Sequence, residues 1–179
     1  MLHYEIPRGI FQWWDVYGLY RKAFPASERK PFSIIRKMHH KGVTDVWRCT
    51  WNGKFAGLVT TINGDENILI DYLAVDENQR GKGIGREILQ QMKAHYGEKG
   101  LFLEIESPYE PGDDQRQRLR RKRFYEKCGF QSMEVFAWVF GVKMELLGCC
   151  CKLSYEQYRA FYRDNYNPWA ADHIKPAEK

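Results

Sequence analysis

The stretch YLAVDENQRGKGIGREIL (72–89) decides how the rest of the chain is read. It runs from an apolar strand pattern through a short polar turn to glycines at 81, 83 and 85 with cations between them, and ends in apolar residues at helical spacing. A glycine-rich turn that enters a helix leaves successive backbone N–H groups without intrahelical partners, and the helix start adds roughly half a positive charge. Arg80 and Lys82 add whole charges, while Gly81, Gly83 and Gly85 carry no Cβ to hold a ligand away. The backbone from 81 to 86, Ile84 and Arg86 included, therefore suits a pyrophosphate; the plain alternative is a glycine-rich turn with no ligand.

Two other phosphate designs fit less well. A Walker loop needs Ser or Thr where Gly83 stands and a glycine where Asp76 stands. A dinucleotide fingerprint, G-x-G-x-x-G, finds its third glycine one residue early, and DENQR separates the strand from the first glycine. In its favour, Glu104 or Glu106 lies roughly 20 residues on, where a ribose-binding acid belongs.

Outward from this stretch the chain alternates between strand and helix signals. LHYEI reads as a strand, and Trp13, Tyr17, Tyr20 and Phe24 mark one face of a helix over 9–24 that Pro25 closes. PFSIIRKMHHKG offers a second helix, and Asn52-Gly53 turns a hairpin within TDVWRCTWNGKFAGLVTTING. NILIDYLAV and LFLEIE are strands on either side of a helix over 83–96. DDQRQRLRRKRFYEKC reads as a helix, VFAWVFGVKMELLGCCC as a strand pair bent at Gly141, and SYEQYRAFYRDNY as a last helix with Ser154 and Gln157 as a capping box. The reading predicts one domain over 1–168 and a frayed tail over 169–179.

With 179 residues, 44% of them hydrophobic, the chain can bury a real core. A net charge of +5 admits anionic ligands without marking a nucleic-acid binder, and no apolar window approaches the length of a membrane span. The five cysteines form no CxxC pair, and the adjacent three cannot converge on one metal, so reduced thiols, no metal and a cytoplasmic protein are expected. No leader pattern opens the sequence. His39 and His40 lack metal-ligand spacing and read as surface residues. A nucleic-acid or membrane partner is not expected, and a homodimer is left open.

The segment 72–89 closely resembles the acetyl-CoA-binding motif of the GNAT superfamily of acyl-CoA-dependent N-acetyltransferases, with pattern [QR]-x-x-G-x-[GA] matched by Arg80, Gly83 and Gly85. A second family motif stands as FYEKCGF (124–130). The resemblance is strong over 67–130 and implies an α/β fold with a mixed, mostly antiparallel, splayed sheet of about seven strands. It also implies acetyl-CoA as acyl donor: the backbone of Leu73, Ala74 and Val75 would bind pantetheine, the amides over 81–86 the pyrophosphate, and the acetyl group would lie in a notch between YLAV and LFLEIE.

The implied chemistry is direct attack of an amine on a thioester. The amine must lose a proton, the carbonyl oxygen must be stabilised, and the departing thiolate must be protonated. By resemblance Tyr125 is the acid. For the base, two carboxylates in LFLEIE point to a polar cavity, since a strand covered by helices is ordinarily apolar on both faces. Glu104 is favoured, with Glu106 nearer the solvent end and Asp71 as a third candidate. Glu28, in the linker between the first two helices, could touch the acceptor. The run RQRLRRKR (116–123) departs from the family pattern at Arg118 and Arg121; it reads as a solvated face, with a clamp for the CoA 3'-phosphate or for an acidic acceptor as the alternative. A small molecule or a protein amine would serve as acceptor. The rival class is a non-catalytic acyl-CoA sensor or partner-binding module, and an NAD-binding enzyme is the more distant one.

Overall fold

The computed structural model describes residues 1–26 and 28–179. The fold is α/β, with helices flanking a mostly antiparallel sheet of eight strands, one more than the sequence implied. Two compact units divide the chain, 1–63 with 70–97 and 64–69 with 98–179.

The first unit contains β1 (Leu2–Glu5), α1 (Gly9–Ala23), α2 (Phe32–His40), β2 (Thr44–Trp51), β3 (Lys54–Asn63), the later part of β4 (Asn67–Val75) and α3 (Ile84–Tyr96). β1, β2 and β3 pair in antiparallel succession, and the β2–β3 turn falls on Asn52 and Gly53, both at positive φ, as the Asn-Gly pair requires. Its core joins Val16, Leu19 and Tyr20 of α1 with Ile35 of α2 and with Val46, Leu58, Tyr72 and Ala74 of the strands. The i, i+3, i+4 spacing on α1 is what turns those three side chains inward together. Burying each such side chain contributes about 1.5–3 kcal/mol, so a charge placed at Val16, which is fully buried, would undo the packing of α1.

The second unit contains β5 (Gly100–Glu106), α4 (Gln115–Lys127), β6 (Gln131–Val139), β7 (Val142–Cys149), α5 (Tyr155–Asn165), α6 (Pro168–Asp172) and β8 (Ile174–Ala177). β5 pairs with β7, β7 with β6, and β6 with β8, all antiparallel. Phe102 of β5 meets Phe161 of α5 edge to face at 4.9 Å, and the capping box of Ser154 and Gln157 starts α5.

The chain end departs from the sequence reading. The tail expected to fray instead forms α6 and β8, with Phe136 opposite Ala177 and Val139 opposite Ile174. Asn167 caps α6 and Pro168 opens it, a start signal that the short helix obeys. Pro176 interrupts no ladder beyond β8 because the strand lies at the sheet edge. The cysteine run is likewise not one strand: Cys149 ends β7 and Cys150 has φ 61. Among the described residues no helix is long and apolar enough to cross a membrane.

Candidate functional site

The glycine loop is built from both sides. β4 ends at Val75, Asp76 accepts a hydrogen bond from the Asn78 amide to start a short turn over Glu77–Gln79, and Gly81 and Gly83 follow with φ 80 and 77. Nothing lies within 4 Å of where a Cβ would stand at either glycine, so the backbone faces open space. The N–H groups of residues 81–85 have no acceptor among the described residues, whereas the Arg86 N–H turns back onto the Gly83 carbonyl at 3.0 Å. The amide set is therefore one residue shorter than the sequence suggested, because Gly83 caps α3 and its carbonyl takes the bonds of Arg86 and Glu87. Ile84 is buried and anchors the helix start, while Arg86 is exposed.

Arg80 and Lys82 are each hydrogen-bonded back to the segment that leads into the loop. The Arg80 Nε donates to the Val75 carbonyl at 3.2 Å, and Lys82 Nζ donates to Gln79 Oε1 at 2.8 Å. Both side chains are exposed, so their charge stays close to the open amides. In β4, Ala74 is buried and Leu73 and Val75 are half-buried. Gly57 of β3 is a requirement the sequence reading missed: a Cβ there would stand 2.7 Å from the Ala74 carbonyl oxygen and 3.2 Å from Ile88 of α3. Only glycine lets β3 run this close to the strand and helix that frame the loop.

Asp71, a candidate base, is nearly buried and holds Lys30 through both carboxylate oxygens at 2.8 Å. The Tyr72 hydroxyl donates to the Glu28 carbonyl at 2.8 Å and accepts from the Lys30 N–H at 3.1 Å. Glu28 thus contributes its backbone to fixing the linker onto β4. These residues and the loop belong to the first unit; Tyr125, Glu104 and Glu106 belong to the second.

Tyr125 of α4 is buried, its ring against Phe124 and Phe130, and its hydroxyl has no hydrogen-bond partner among the described residues. Burial pushes the phenol up to about 12, with Arg121 pulling the other way. Glu104 accepts two hydrogen bonds on Oε1, from Tyr158 at 2.6 Å and Tyr162 at 2.8 Å. The sequence reading missed these partners, although Tyr158 and Tyr162 stand one helical turn apart on α5 and so share a face.

Glu106 is not at a solvent-facing end. Its side chain is 17% exposed and faces Arg118 and Arg121 at 3.6 and 3.8 Å. The arginine run is correspondingly divided. Arg118 holds Asp114 at 2.7 Å, and Lys122 is buried with its Nζ 2.6 and 2.9 Å from the two carboxylate oxygens of Glu145, while Arg116, Arg120 and Arg123 are exposed. His39 is half-buried, its Nδ1 2.9 Å from the Thr44 carbonyl. Among the described residues no cluster of His, Cys, Asp or Glu could hold a metal ion, and the five cysteines are unbridged.

Several solved structures share this fold. The sequence model of the family described as acetyltransferase (GNAT) domain matches residues 43–132, half of the chain. No curated protein matches in sequence. Among solved structures, a GNAT-family protein from Bacteroides thetaiotaomicron aligns with a TM-score of 0.78 at 16% identity, over 94% of this chain and 98% of its own. A Bacillus subtilis acetyltransferase solved with CoA gives 0.61 at 16% identity, over 83% and 98%. The ribosomal-protein-S18-alanine N-acetyltransferase of Escherichia coli gives 0.59 at 16% identity, over 86% and 96%. At such identities the likeness is one of fold. The matched segment contains β2 to α4, with the glycine loop and FYEKCGF both inside it, and the chain belongs to the GNAT acetyltransferase family.

Proposed function

We propose that the chain is an N-acetyltransferase that moves the acetyl group of acetyl-CoA to a primary amine by direct attack. One observation carries the reading: five consecutive amides over 81–85 without an acceptor among the described residues, at the start of a 13-residue helix, with Arg80 and Lys82 beside them. This set suits the two linked phosphates of CoA, and in the family reading the backbone of Leu73, Ala74 and Val75 takes the pantetheine arm. The fold neighbour solved with CoA supports the choice of donor.

In the proposed reaction an ammonium group loses a proton to a carboxylate, for which Glu104 is the preferred base. The neutral nitrogen attacks the thioester carbon, an N–C bond forms, and the C–S bond breaks with its electron pair going to sulfur. The nitrogen releases its second proton as the amide forms, and sulfur takes one, so one proton goes to solvent overall. Tyr125 would donate to sulfur. At a pKa of about 12 the phenol is protonated throughout the working range, as a donor must be. Complete transfer to a thiolate of ordinary pKa near 8.5 runs uphill by roughly 3 to 4 units, so the phenolate must recover its proton at once. Arg121, which favours the ionised phenol, lowers that cost. Tyr158 and Tyr162 hold the carboxylate of Glu104 in one orientation.

Release of free CoA thiol in the presence of acetyl-CoA and a broad amine panel tests the reading. Tyr125→Phe is expected to lower kcat by about 10² or more, the range for positioned proton transfer, while the rise in Tm on adding acetyl-CoA persists. Stabilisation by acetyl-CoA with no turnover of any amine would favour a sensor. Stabilisation by NAD with no response to CoA would overturn the reading.

A further inference from the structure

Between α1 and α2 lies a cleft of about 1030 Å³ lined by several cations. Arg21, Arg29 and Arg36 line it, and none of the lining residues is acidic. Lys30, also on the lining, is paired with Asp71. The three arginines have no carboxylate partner among the described residues: Arg36 lies over the Trp13 ring at 4.9 Å and Arg21 over Tyr17 at 5.7 Å, both exposed. Arg29 is half-buried, and its Nε is shielded from solvent with no hydrogen-bond partner. A buried guanidinium N–H left unpaired is costly, and it is satisfied at once by a carboxylate or phosphate oxygen. The lining also carries the aromatic residues Trp13, Trp14, Tyr17, Tyr20 and Phe32, and Phe32 packs against both Trp13 and Tyr17.

We infer that the acceptor amine also carries an anionic group on an apolar, ring-sized body, and that this cleft recognises it, with Arg29 as the principal anion partner and Arg21 and Arg36 at the rim. The inference rests on the acetyltransferase reading and adds the substrate class. The wall of the cleft is fixed to β4, because Tyr72 and Asp71 bind the backbone and side chain of the linker at Glu28 and Lys30, and Tyr20 meets Tyr72 edge to face at 4.9 Å. A ligand held there is therefore registered against the same strand whose next residues, Leu73, Ala74 and Val75, are assigned to pantetheine. Polycationic acceptors are disfavoured by like charge, since a polyamine or aminoglycoside would bring ammonium groups to three uncompensated arginines.

The test uses the full chain with acetyl-CoA and three amine pairs that differ only by a carboxylate: phenylalanine and phenethylamine, tyrosine and tyramine, tryptophan and tryptamine, with spermidine alongside. In at least one pair the carboxylate-bearing member is expected to show a kcat/KM higher by about 10- to 100-fold, the range of a charge-assisted hydrogen bond. Arg29→Gln should erase that preference through KM, and Arg36→Gln should weaken it, while both variants keep the acetyl-CoA-induced rise in Tm. Equal or better use of every decarboxylated amine, or of spermidine, overturns the inference and leaves the acetyltransferase reading standing. So does failure of all carboxylate-bearing amines in a protein that acetyl-CoA still stabilises. Loss of both turnover and acetyl-CoA stabilisation in the wild type instead overturns the acetyltransferase reading itself, and the inference with it.

Discussion

The two basic regions of the chain are built in opposite ways. The α4 run carries six cations within eight residues, yet its inward-facing members are spent: Arg118 on Asp114 and Glu106, Arg121 on Glu106, and Lys122 on Glu145. The α1–α2 cleft draws its cations from positions 21, 29 and 36, unremarkable in sequence, and leaves all three without a carboxylate among the described residues. Density of charge along the chain is thus a poor guide to available charge. What counts is whether the fold supplies a counter-ion, and buried cations that lack one are the informative ones.

The sharpest way to break this contrast is at Lys122. Glu145 is 1% exposed, so Lys122→Met strands a buried carboxylate and should cost about 3–5 kcal/mol in urea unfolding, whereas Lys122→Met combined with Glu145→Leu should recover most of the loss. A single substitution that costs less than about 1 kcal/mol would show the pair to be unimportant to stability, and α4 would then resemble the cleft. Arg29→Gln, by contrast, removes a cation without a carboxylate partner among the described residues and should not lower stability.

Alkaline titration gives the next largest effect. Burial raises the pKa of Tyr20 and Tyr72 beside the cleft, and with Tyr72 the Asp71 charge adds to the rise; burial likewise raises Tyr125 of α4 to about 12. These phenols bind their protons more tightly in the folded chain, so their contribution is complete below pH 10 and is lost as pH rises above it. By pH 11 the ionisation of Tyr125 should cost about 1 kcal/mol, with Tyr20 and Tyr72 adding in the same direction, and Tyr125→Phe should flatten the fall in Tm. A flat Tm between pH 9 and pH 11 in the wild type would contradict the burial of these phenols. The cleft consequently gains no tyrosinate to neutralise its arginines at moderately high pH.

Acid titration gives the smallest effect. The Arg118 hydrogen bond holds the half-exposed Asp114 carboxyl below the usual range, so its contribution is present above that range and fades as pH falls through it. Asp114→Asn should remove this slight acid dependence of Tm, and a large effect would mean that the pair is better shielded than its exposure indicates.

Most of the element order was legible because strong local signals coincide with tertiary ones. Asn52-Gly53, the glycines of the loop, and Ser154 with Gln157 each encode a backbone conformation directly. The expected helices 9–24 and 83–96 match α1 and α3 to within a residue. β8 was not legible: Ile174–Ala177 is four residues long, includes a proline, and acquires strand form only from the β6 edge that supplies its partners. In the candidate site the loop could be read residue by residue, since backbone amides carry it. The environments of the carboxylates could not, because they depend on long-range partners: Glu104 meets residues more than 50 positions away, and Asp71 meets one 41 positions away. One signal was available and unused. Arg118, Arg121, Lys122 and Tyr125 recur at helical spacing, so a buried Tyr125 implied that part of the basic run also faced inward.

The pairing of β8 with β6 has a practical consequence for anyone who shortens the chain. A boundary placed at 168, where the sequence suggests the ordered part ends, would strip the cover from β6 and present its free N–H and C=O groups to other molecules. Such a truncated protein should self-associate through strand addition and express poorly, although every residue assigned to acetyl transfer would still be present.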